Sequence, residues 1–406
     1  MKQPIAESKL SAQKTVKAFV AALSIILSLG LFFIILNSPL SAIAKFMLGA
    51  LCLAGCGTAV AWSFGMESWA GLIMLKGKYG LSAIDSIAKK RPELWQWIAE
   101  VGMVVAYGSF AYFLMGKKNI IKNWKSVIPI YVIGTFLLVL VSALIPVAMS
   151  TLLSMVVGGN EFATAGSKLS TSISQFDIAR HVSFLFLALG GVTLVTTSGI
   201  VVYAGVVGMA VLGALTGNAE HLANTSPGGM PILPGINLDL IQGVIGLAII
   251  LVVHESMHGI LSRVHKLPLK SAGLVFFGFL PFGAFVDIDE KKLFAAPREK
   301  QNAVLVAGTA ANFATGLFFL ALLIAFFFVI SSTFPSPPDW ARYVSRLLAL
   351  VFSLNMVIAA INLVPLPLFD GYHLMKNAVG NKTTASLITW LVAAAFILTM
   401  FPWLLR

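Results

Sequence analysis

A metal-binding motif inside an apolar stretch constrains this chain more than any other feature. Residues 254–258 read His-Glu-Ser-Met-His, the pattern H-E-x-x-H, and the almost unbroken apolar run 240–253 leads directly into them. A hydrophobic segment of this kind is a candidate transmembrane helix. Ionisable groups are costly inside a bilayer, so two histidines and a glutamate there need a compensating interaction. Metal binding is a sufficient one.

The composition and the charge distribution indicate a membrane protein. Of the 406 residues, 58% are hydrophobic and 11% are charged, whereas average globular chains carry about 25% charged residues. The net charge is +12, and the basic residues lie in short segments between apolar runs. This is the distribution that the positive-inside bias produces. We therefore expect the partner of these charges to be a lipid bilayer and no nucleic acid.

The apolar runs predict an all-α polytopic membrane protein with roughly nine transmembrane helices. Each run is long enough to cross a bilayer, which takes about 20 residues. Run 182–215 is long for one crossing and short for two, and glycines such as Gly190 and Gly191 allow a broken helix or a tight hairpin there. The runs are 18–36, 46–62, 98–114, 128–149, 182–215, 240–261, 303–330, 343–368 and 387–405.

The segment 263–300, which follows the motif, predicts a short membrane-associated β segment. Its first part alternates glycines with phenylalanines, a pattern that favours short strands over helix. Irregular backbone at membrane depth is tolerated where protein or a cavity covers it, so this piece is expected to dip toward the motif. Its second part is rich in basic residues, which predicts a cytoplasmic location. The metal would then lie toward the cytoplasmic end of its helix.

The spacing of the motif predicts a hydrolytic metal centre. Residues four apart on a helix share a face, so His254 and His258 can bind one metal ion through neutral imidazoles. Zinc lowers the pKa of a coordinated water from about 15.7 to about 7. Glu255 projects beside the histidines and can take a proton from that water.

A third ligand is expected, because a catalytic zinc usually has three protein ligands and a water. Four of the downstream carboxylates lie in a charged segment, and Asp339 follows a Pro-rich turn. Asp370 lies at the end of a long apolar run, where its insertion cost of about 2.5–3.5 kcal/mol calls for compensation. Pro367 and Gly371 permit a turn that aims its carboxylate off the helix axis. The downstream candidates are Asp287, Asp289, Glu290, Glu299, Asp339 and Asp370.

Together these motifs resemble the site-2 protease family of intramembrane zinc metalloproteases. Residues 362–371 read N-x-x-P-x-P-x-x-D-G, and 283–286 read Gly-Ala-Phe-Val. Residues 307–313 are similar to the stretch A-G-P-x-x-N-F, with Thr309 in place of the proline. The resemblance covers about residues 234–376.

The resemblance also concerns architecture. The extra N-terminal spans are more similar to archaeal-type members of the family than to minimal ones. Some members insert a PDZ-type domain between the two motif-bearing helices, and the short gap between runs 303–330 and 343–368 leaves no room for one.

The resemblance implies a zinc-dependent endopeptidase. His254, His258 and Asp370 would bind one zinc ion, and Glu255 would be the general base. The substrate would be a transmembrane helix of another protein, cleaved to release a regulatory domain, and it would have to unwind first. An extended substrate could pair with a strand edge within residues 273–286, at Phe285.

Two asparagines in apolar runs are candidate substrate-binding residues. Asn312 and Asn362 could each donate a hydrogen bond to the substrate carbonyl or oxyanion. The alternative for both is a hydrogen bond between helices, which is common in membrane bundles.

The predicted organisation has three parts. Residues 1–233 form an N-terminal membrane region with accessory spans and an interfacial helix at 67–96, where apolar residues at helical spacing have basic neighbours. Residues 234–376 form the catalytic core, and 377–406 form a C-terminal span. We expect a multi-pass protein of a prokaryotic plasma membrane with its active site toward the cytoplasm. The oligomeric state and the identity of the substrate stay open.

Two alternatives remain at this point. A prenyl-protein-type membrane metalloprotease also carries H-E-x-x-H, but takes a downstream helical glutamate as its third ligand. The later glutamates here, Glu290 and Glu299, lie in charged sequence. A non-proteolytic zinc-binding or transport protein is the other alternative. Transporters often show internal repeats, and neither motif recurs in this sequence.

Overall fold

The protein is a helical bundle with one small sheet. The computed structural model describes residues 3–116, 120–157 and 177–404. Within these ranges nine segments are long and apolar enough to cross a membrane, which confirms the predicted fold class. The helices are α1 (Gln3–Asn37), α2 (Ala42–Phe64), α3 (Lys78–Lys90), α4 (Pro92–Tyr107), α5 (Ala111–Leu114), α6 (Ile120–Val157), α7 (Asp177–Leu215), α8 (Ala219–Ala223), α9 (Leu240–Val264), α10 (Glu290–Ala295), α11 (Arg298–Thr333), α12 (Asp339–Asn362), α13 (Asp370–Val379) and α14 (Lys382–Leu404).

Four antiparallel strands form the sheet in the order β1-β2-β3-β4. They are β1 (Ser68–Trp69), β2 (Leu72–Gly77), β3 (Leu269–Phe277) and β4 (Leu280–Ile288). The hairpin of β3 and β4 is the β segment predicted after the motif-bearing helix, so that prediction is confirmed. The other two strands come from the N-terminal part of the chain.

The interfacial helix predicted for residues 67–96 is wrong over 68–77. There the chain forms a hairpin around Ala70 and Gly71, which both have positive φ, at +49° and +82°. The apolar residues of β2 pair with β3, in a register that runs from Leu72 opposite Phe277 to Gly77 opposite Ala272. This tertiary pairing outweighs the helical spacing of the sequence. The amphipathic helix is present as α3 alone.

The sheet links the parts of the chain on either side of residue 233. β2 belongs to the N-terminal region and β3 to the predicted catalytic core, and the two strands are hydrogen-bonded along six residue pairs. Helix α4 also packs on the core, because a Cβ on Gly102 would lie 2.3 Å from the Cβ of Ala310 in α11. The division at residue 233 remains a prediction, and the two regions share one packed structure.

The chain reverses direction after α4. Gly108 ends that helix with φ of +53°, and residues 114–116 return toward its beginning. The Asn302 side chain donates a hydrogen bond to the carbonyl oxygen of Leu114 at 3.0 Å, and Glu299 packs against Gly116. Because Asn302 and Glu299 lie in the first turns of α11, the chain re-emerges near the end at which α4 entered. This reversal explains how the lysine-rich stretch 76–91 and the described residues 120–125 can share one side of a membrane.

Helix α7 is broken at Gly191, as the sequence allowed. This glycine has φ of +60°, and a Cβ there would lie 2.6 Å from the backbone of Ala106 and Tyr107. Of the two readings of run 182–215, the broken helix is therefore correct and the tight hairpin is wrong.

Basic residues gather at one end of the bundle, which we call the basic end. It comprises α3, α10, the C-terminus of α9, the beginning of β3, the C-terminal half of α13 and the N-termini of α11 and α14. An ion pair of 2.6 Å joins Asp85 of α3 to Arg263 of α9, and Arg298 of α11 donates to the Asn377 carbonyl at 3.3 Å. Its basic residues are Lys89, Lys90, Arg91, Arg263, Lys266, Lys270, Lys291, Lys292, Arg298, Lys300, Lys376 and Lys382.

This chain path predicts which single cysteines share a side of the membrane. Lys90→Cys and Lys125→Cys, in a background with Cys52 and Cys56 replaced by alanine, should react from the same side with an impermeant thiol reagent. Ser336→Cys, in the turn between α11 and α12, should react from the opposite side. All three positions are exposed, so labelling of intact cells and of inverted vesicles measures this. Labelling of positions 90 and 125 from opposite sides would contradict the reversal at Gly108.

Candidate metal centre

Two histidines and one aspartate converge on a point between α9 and α13. His254 and His258 lie one turn apart on α9, with their Nε2 atoms 3.0 Å apart. Asp370, the first residue of α13, places its Oδ2 atom 3.2 Å from His254 Nε2 and 3.3 Å from His258 Nε2. The structure thus brings together the three predicted zinc ligands.

The size of this triangle matches a tetrahedral zinc site. Ligand atoms about 2.0–2.1 Å from zinc at tetrahedral angles lie about 3.3–3.4 Å apart. The three observed separations of 3.0–3.3 Å are close to that value. An ion beside the triangle would keep its fourth position free on the other side, which is the arrangement of catalytic zinc sites.

The protonation pattern of the triangle also favours a cation. His258 Nδ1 lies 2.7 Å from the carbonyl oxygen of Val304. A carbonyl can only accept, so Nδ1 carries a proton, and in the neutral ring Nε2 then carries the lone pair. The buried Oδ2 of Asp370 faces the two imidazole Nε2 atoms and has no other hydrogen-bond partner among the described residues. In the neutral tautomers that bind a metal, these three atoms present lone pairs to one point, and this arrangement suits a cation.

A tight turn places Asp370 against α9. After α12 ends at Asn362, the prolines 365 and 367 prevent the helix from continuing. The segment then folds back so closely that a Cβ on Gly371 would lie 2.1 Å from the carbonyl oxygen of Leu363. Only glycine fits there, and this contact aims the carboxylate at its start toward the histidines.

Glu255 is held by the sheet. Its Oε2 accepts a hydrogen bond of 3.2 Å from the backbone N–H of Val286 in β4. The carboxylate is half-buried and follows His254 on the same helix. Strand β4 therefore fixes the predicted general base beside the triangle.

Helix α11 supports His254 from behind. Asn312, fully buried at 0% exposure, lies with its Nδ2 atom 3.1 Å from His254 Nδ1. A Cβ on Gly308 would lie 2.5–2.6 Å from three atoms of the same ring. The absence of a side chain at Gly308 lets the helix backbone approach the imidazole.

The other predicted site residues lie outside this cluster. Asn362 is half-buried at the end of α12, and no described hydrogen bond joins it to the three ligand residues. Phe285 is 9% exposed and packs across Gly273 of β3. A third histidine near the cluster, His373, packs between Phe294 and Tyr372, and burial together with Lys376 lowers its pKa. Substrate contacts by Asn362 and Phe285 stay predictions.

The triangle lies inside the bundle and is open on one side. At 1.5 Å per residue, His258 and His254 lie about 9 and 15 Å from the end of α9 at Val264. The imidazoles retain 8% and 9% of their side-chain exposure, whereas Asp370 retains 20%. Access to the centre is therefore from the side of Asp370 and Glu255.

An apolar groove elsewhere does not compete as a reactive site. It measures about 400 Å³ and lies between α7 and α14. Its lining includes Leu194, Val201 and Leu391 and contains no carboxylate, imidazole or thiol. Its polar side chains are the hydroxyls of Thr197 and Ser198, which have no carboxylate, imidazole or thiol in the groove to activate them.

Sequence reasoning missed three backbone groups that hold the site. They are the Val304 carbonyl, the Val286 N–H and the Leu363 carbonyl. Every residue carries such groups, so no residue type in the sequence could identify them. They become visible once α11, β4 and the turn before α13 are in place.

Comparisons with known proteins agree with the geometry. Residues 242–401 match the model of peptidase family M50, the family of the site-2 proteases, which confirms the predicted resemblance. The chain is also 40% identical over 73 residues to an uncharacterized protein of Methanocaldococcus jannaschii. That match covers 18% of this chain and 20% of the relative. No solved structure matches the chain.

Gly308 provides a test of this packing. Gly308→Ala places a methyl group against the His254 ring, so zinc affinity should fall by about tenfold or more, as when the support of a ligand is lost. Gly316→Ala is the matched control on α11, since its Cβ would press on the flexible end of Met356. Chelator competition on the purified proteins measures both. Equal affinities in the two variants would contradict the contact.

Proposed function

We propose that this membrane metalloprotease of peptidase family M50 is a zinc-dependent endopeptidase that cleaves transmembrane segments of other proteins within the bilayer. The observation that carries the proposal is the triangle of His254, His258 and Asp370 inside a bundle of membrane-length helices. Hydrolytic groups at that depth can reach a peptide bond that a soluble protease cannot.

The three ligand residues would hold the zinc ion. When bound, zinc supplies Lewis acidity, which activates water at neutral pH and polarises a carbonyl. The residues of the chain fix where this happens. His254 and His258 are held by α9, and Asp370 is held by the turn at Gly371.

Glu255 is suited to move the proton. Its carboxylate lies beside the triangle and is oriented by Val286. It takes the proton of the attacking water and, once protonated, returns it to the nitrogen of the cleaved peptide bond. General acid–base catalysis of this kind contributes about 10²–10⁴-fold to a rate.

The outer edge of β4, with which no other described strand pairs, is the place that we propose for an unwound substrate. Strand β4 ends the sheet, with β3 on one side. The Val286 N–H points away from β3, because it donates to Glu255. Since N–H directions alternate along a strand, the N–H of Ala284 points the same way and that of Phe285 points toward β3. An extended peptide paired at Ala284 would therefore lie next to Glu255.

The orientation in the membrane follows from the basic end. Twelve basic residues lie at that end of the bundle, and basic loops favour the cytoplasm. The site lies nearer to the cytoplasmic surface if the basic end faces it. A prokaryotic plasma membrane is the proposed location.

The two alternatives from the sequence have less support. A prenyl-protein-type enzyme would need a helical glutamate as third ligand, yet Glu290 and Glu299 are exposed and outside the cluster. A zinc transporter would have no use for a carboxylate positioned beside the metal as Glu255 is. The match to peptidase family M50 also favours proteolysis.

Glu255→Gln and Asp370→Ala separate catalysis from metal binding. We expect about one zinc ion per chain in the wild type and in Glu255→Gln, and little in Asp370→Ala. Cleavage of a transmembrane reporter should fall by at least about 10²-fold in Glu255→Gln, because the general base is lost, and should be abolished in Asp370→Ala. Metal analysis and reporter cleavage in detergent or vesicles measure this. Full cleavage by Glu255→Gln would rule out the assigned base.

A proline in β4 tests the strand edge. Ala284→Pro removes the outward N–H and should lower reporter turnover by about tenfold, since edge strands tolerate proline but lose that donor. Zinc content should stay unchanged. Ala284→Val, which keeps the N–H, is the control. Unchanged turnover in Ala284→Pro would exclude pairing there, whereas Phe285→Pro would disturb the bond to β3 instead.

A further inference from the structure

The two histidines of the triangle differ in the group that contacts their Nδ1 atoms, which face away from the triangle. His258 Nδ1 donates to the Val304 carbonyl at 2.7 Å, so its tautomer is fixed with the lone pair at Nε2. His254 has the amide of Asn312 at its Nδ1, at 3.1 Å. Val304, Gly308 and Asn312 are spaced by four, so they lie on one face of α11.

The hydrogen bond at His254 must also have a definite direction. Its Nε2 faces His258 and Asp370, so for metal binding the proton must be on Nδ1. An N–H at Nδ1 needs an acceptor, and the Oδ1 of Asn312 is buried without a hydrogen-bond partner. Turning the amide by 180° brings Oδ1 to Nδ1, since the two ends of an amide have nearly the same shape.

We infer that Asn312 is a positioning residue, which accepts a hydrogen bond from His254 Nδ1–H and thereby keeps Nε2 directed at the metal. Partners of this kind fix the tautomer and ring orientation of metal-binding histidines. The inference rests on the proposed zinc site, and it deepens that proposal by naming a residue that is not a ligand.

The geometry disfavours a substrate contact by Asn312. The outward directions at Nδ1 and Nε2 of an imidazole ring diverge widely, so the ring of His254 lies between the amide and the triangle. Asn312 is also 0% exposed. A residue behind the ligand acts through the ligand, and its loss should change metal affinity before anything else.

Two substitutions at position 312 distinguish an acceptor from a packing residue. Asn312→Leu keeps the volume and removes the acceptor, so zinc affinity should fall by about 10–100-fold. Asn312→Asp keeps an acceptor at the same place and should restore most of that affinity. Chelator competition with zinc on the purified full-length protein measures both.

Asn302→Leu is the matched control. Asn302 lies on the same helix, is 2% exposed and is bonded to Leu114 and Asn377 rather than to a histidine. This variant loses a buried asparagine but should keep the zinc affinity of the wild type.

The outcomes separate this inference from the proposed function. Equal zinc affinity in Asn312→Leu and wild type would overturn the inference, and so would equal losses in Asn312→Leu and Asn312→Asp. A wild type that binds zinc without cleaving the reporter would leave proteolysis unsupported while the affinities of the variants still decide the role of Asn312.

Discussion

The structure depends on the convergence of three lone-pair donors in an apolar bundle. An imidazole or a carboxylate buried alone in such surroundings is costly, and the lone pairs of three such groups directed at one point repel each other. A divalent cation at that point turns the same arrangement into a stable one. The separations of 3.0–3.3 Å among the three atoms are therefore the main constraint on how α9 and α13 pack.

Helix α11 is the scaffold that makes this convergence possible. On one face of α11 a backbone carbonyl accepts a hydrogen bond from His258, and a glycine leaves room for the ring of His254. On the same face a side-chain amide lies against Nδ1 of His254. Its other side packs against α4 through Gly102 and Ala310. The N-terminal region thus supports the metal centre through α11, besides adding β2 to the sheet. Helix α11 continues without a break through Thr309, the residue that stands where the family pattern has proline.

Short-range sequence patterns predicted the three ligand residues. The groups that hold these residues in place come from segments that are distant in the sequence, and they were not predicted. His254 and His258 are four residues apart, and Asp370 lies at the end of an apolar run. Imidazoles and carboxylates are metal ligands by their residue type, so the sequence was sufficient to predict this cluster. The residues of β2 have helical spacing, and their partners in β3 lie about two hundred positions away. The predicted interfacial helix was wrong there because nothing local distinguishes a paired strand from an amphipathic turn, apart from the glycine at position 71. The hydrogen bonds of Val304 and Val286 use backbone groups, which no sequence pattern marks.

In the proposed mode of substrate binding, the position of Glu255 at the sheet would limit where a substrate could pair. A peptide strand added to β4 would use the outward N–H of Ala284, but the next outward N–H belongs to Val286 and is already bonded to Glu255. The part of the β4 edge that is available for pairing therefore ends at Val286, next to Glu255. A substrate held along that edge would leave the sheet beside Glu255 and the triangle, with its next peptide bond extended and no longer shielded by a helical turn. In this proposal one strand would both hold the substrate unwound and orient the base, so the cut would fall immediately beyond the paired residues.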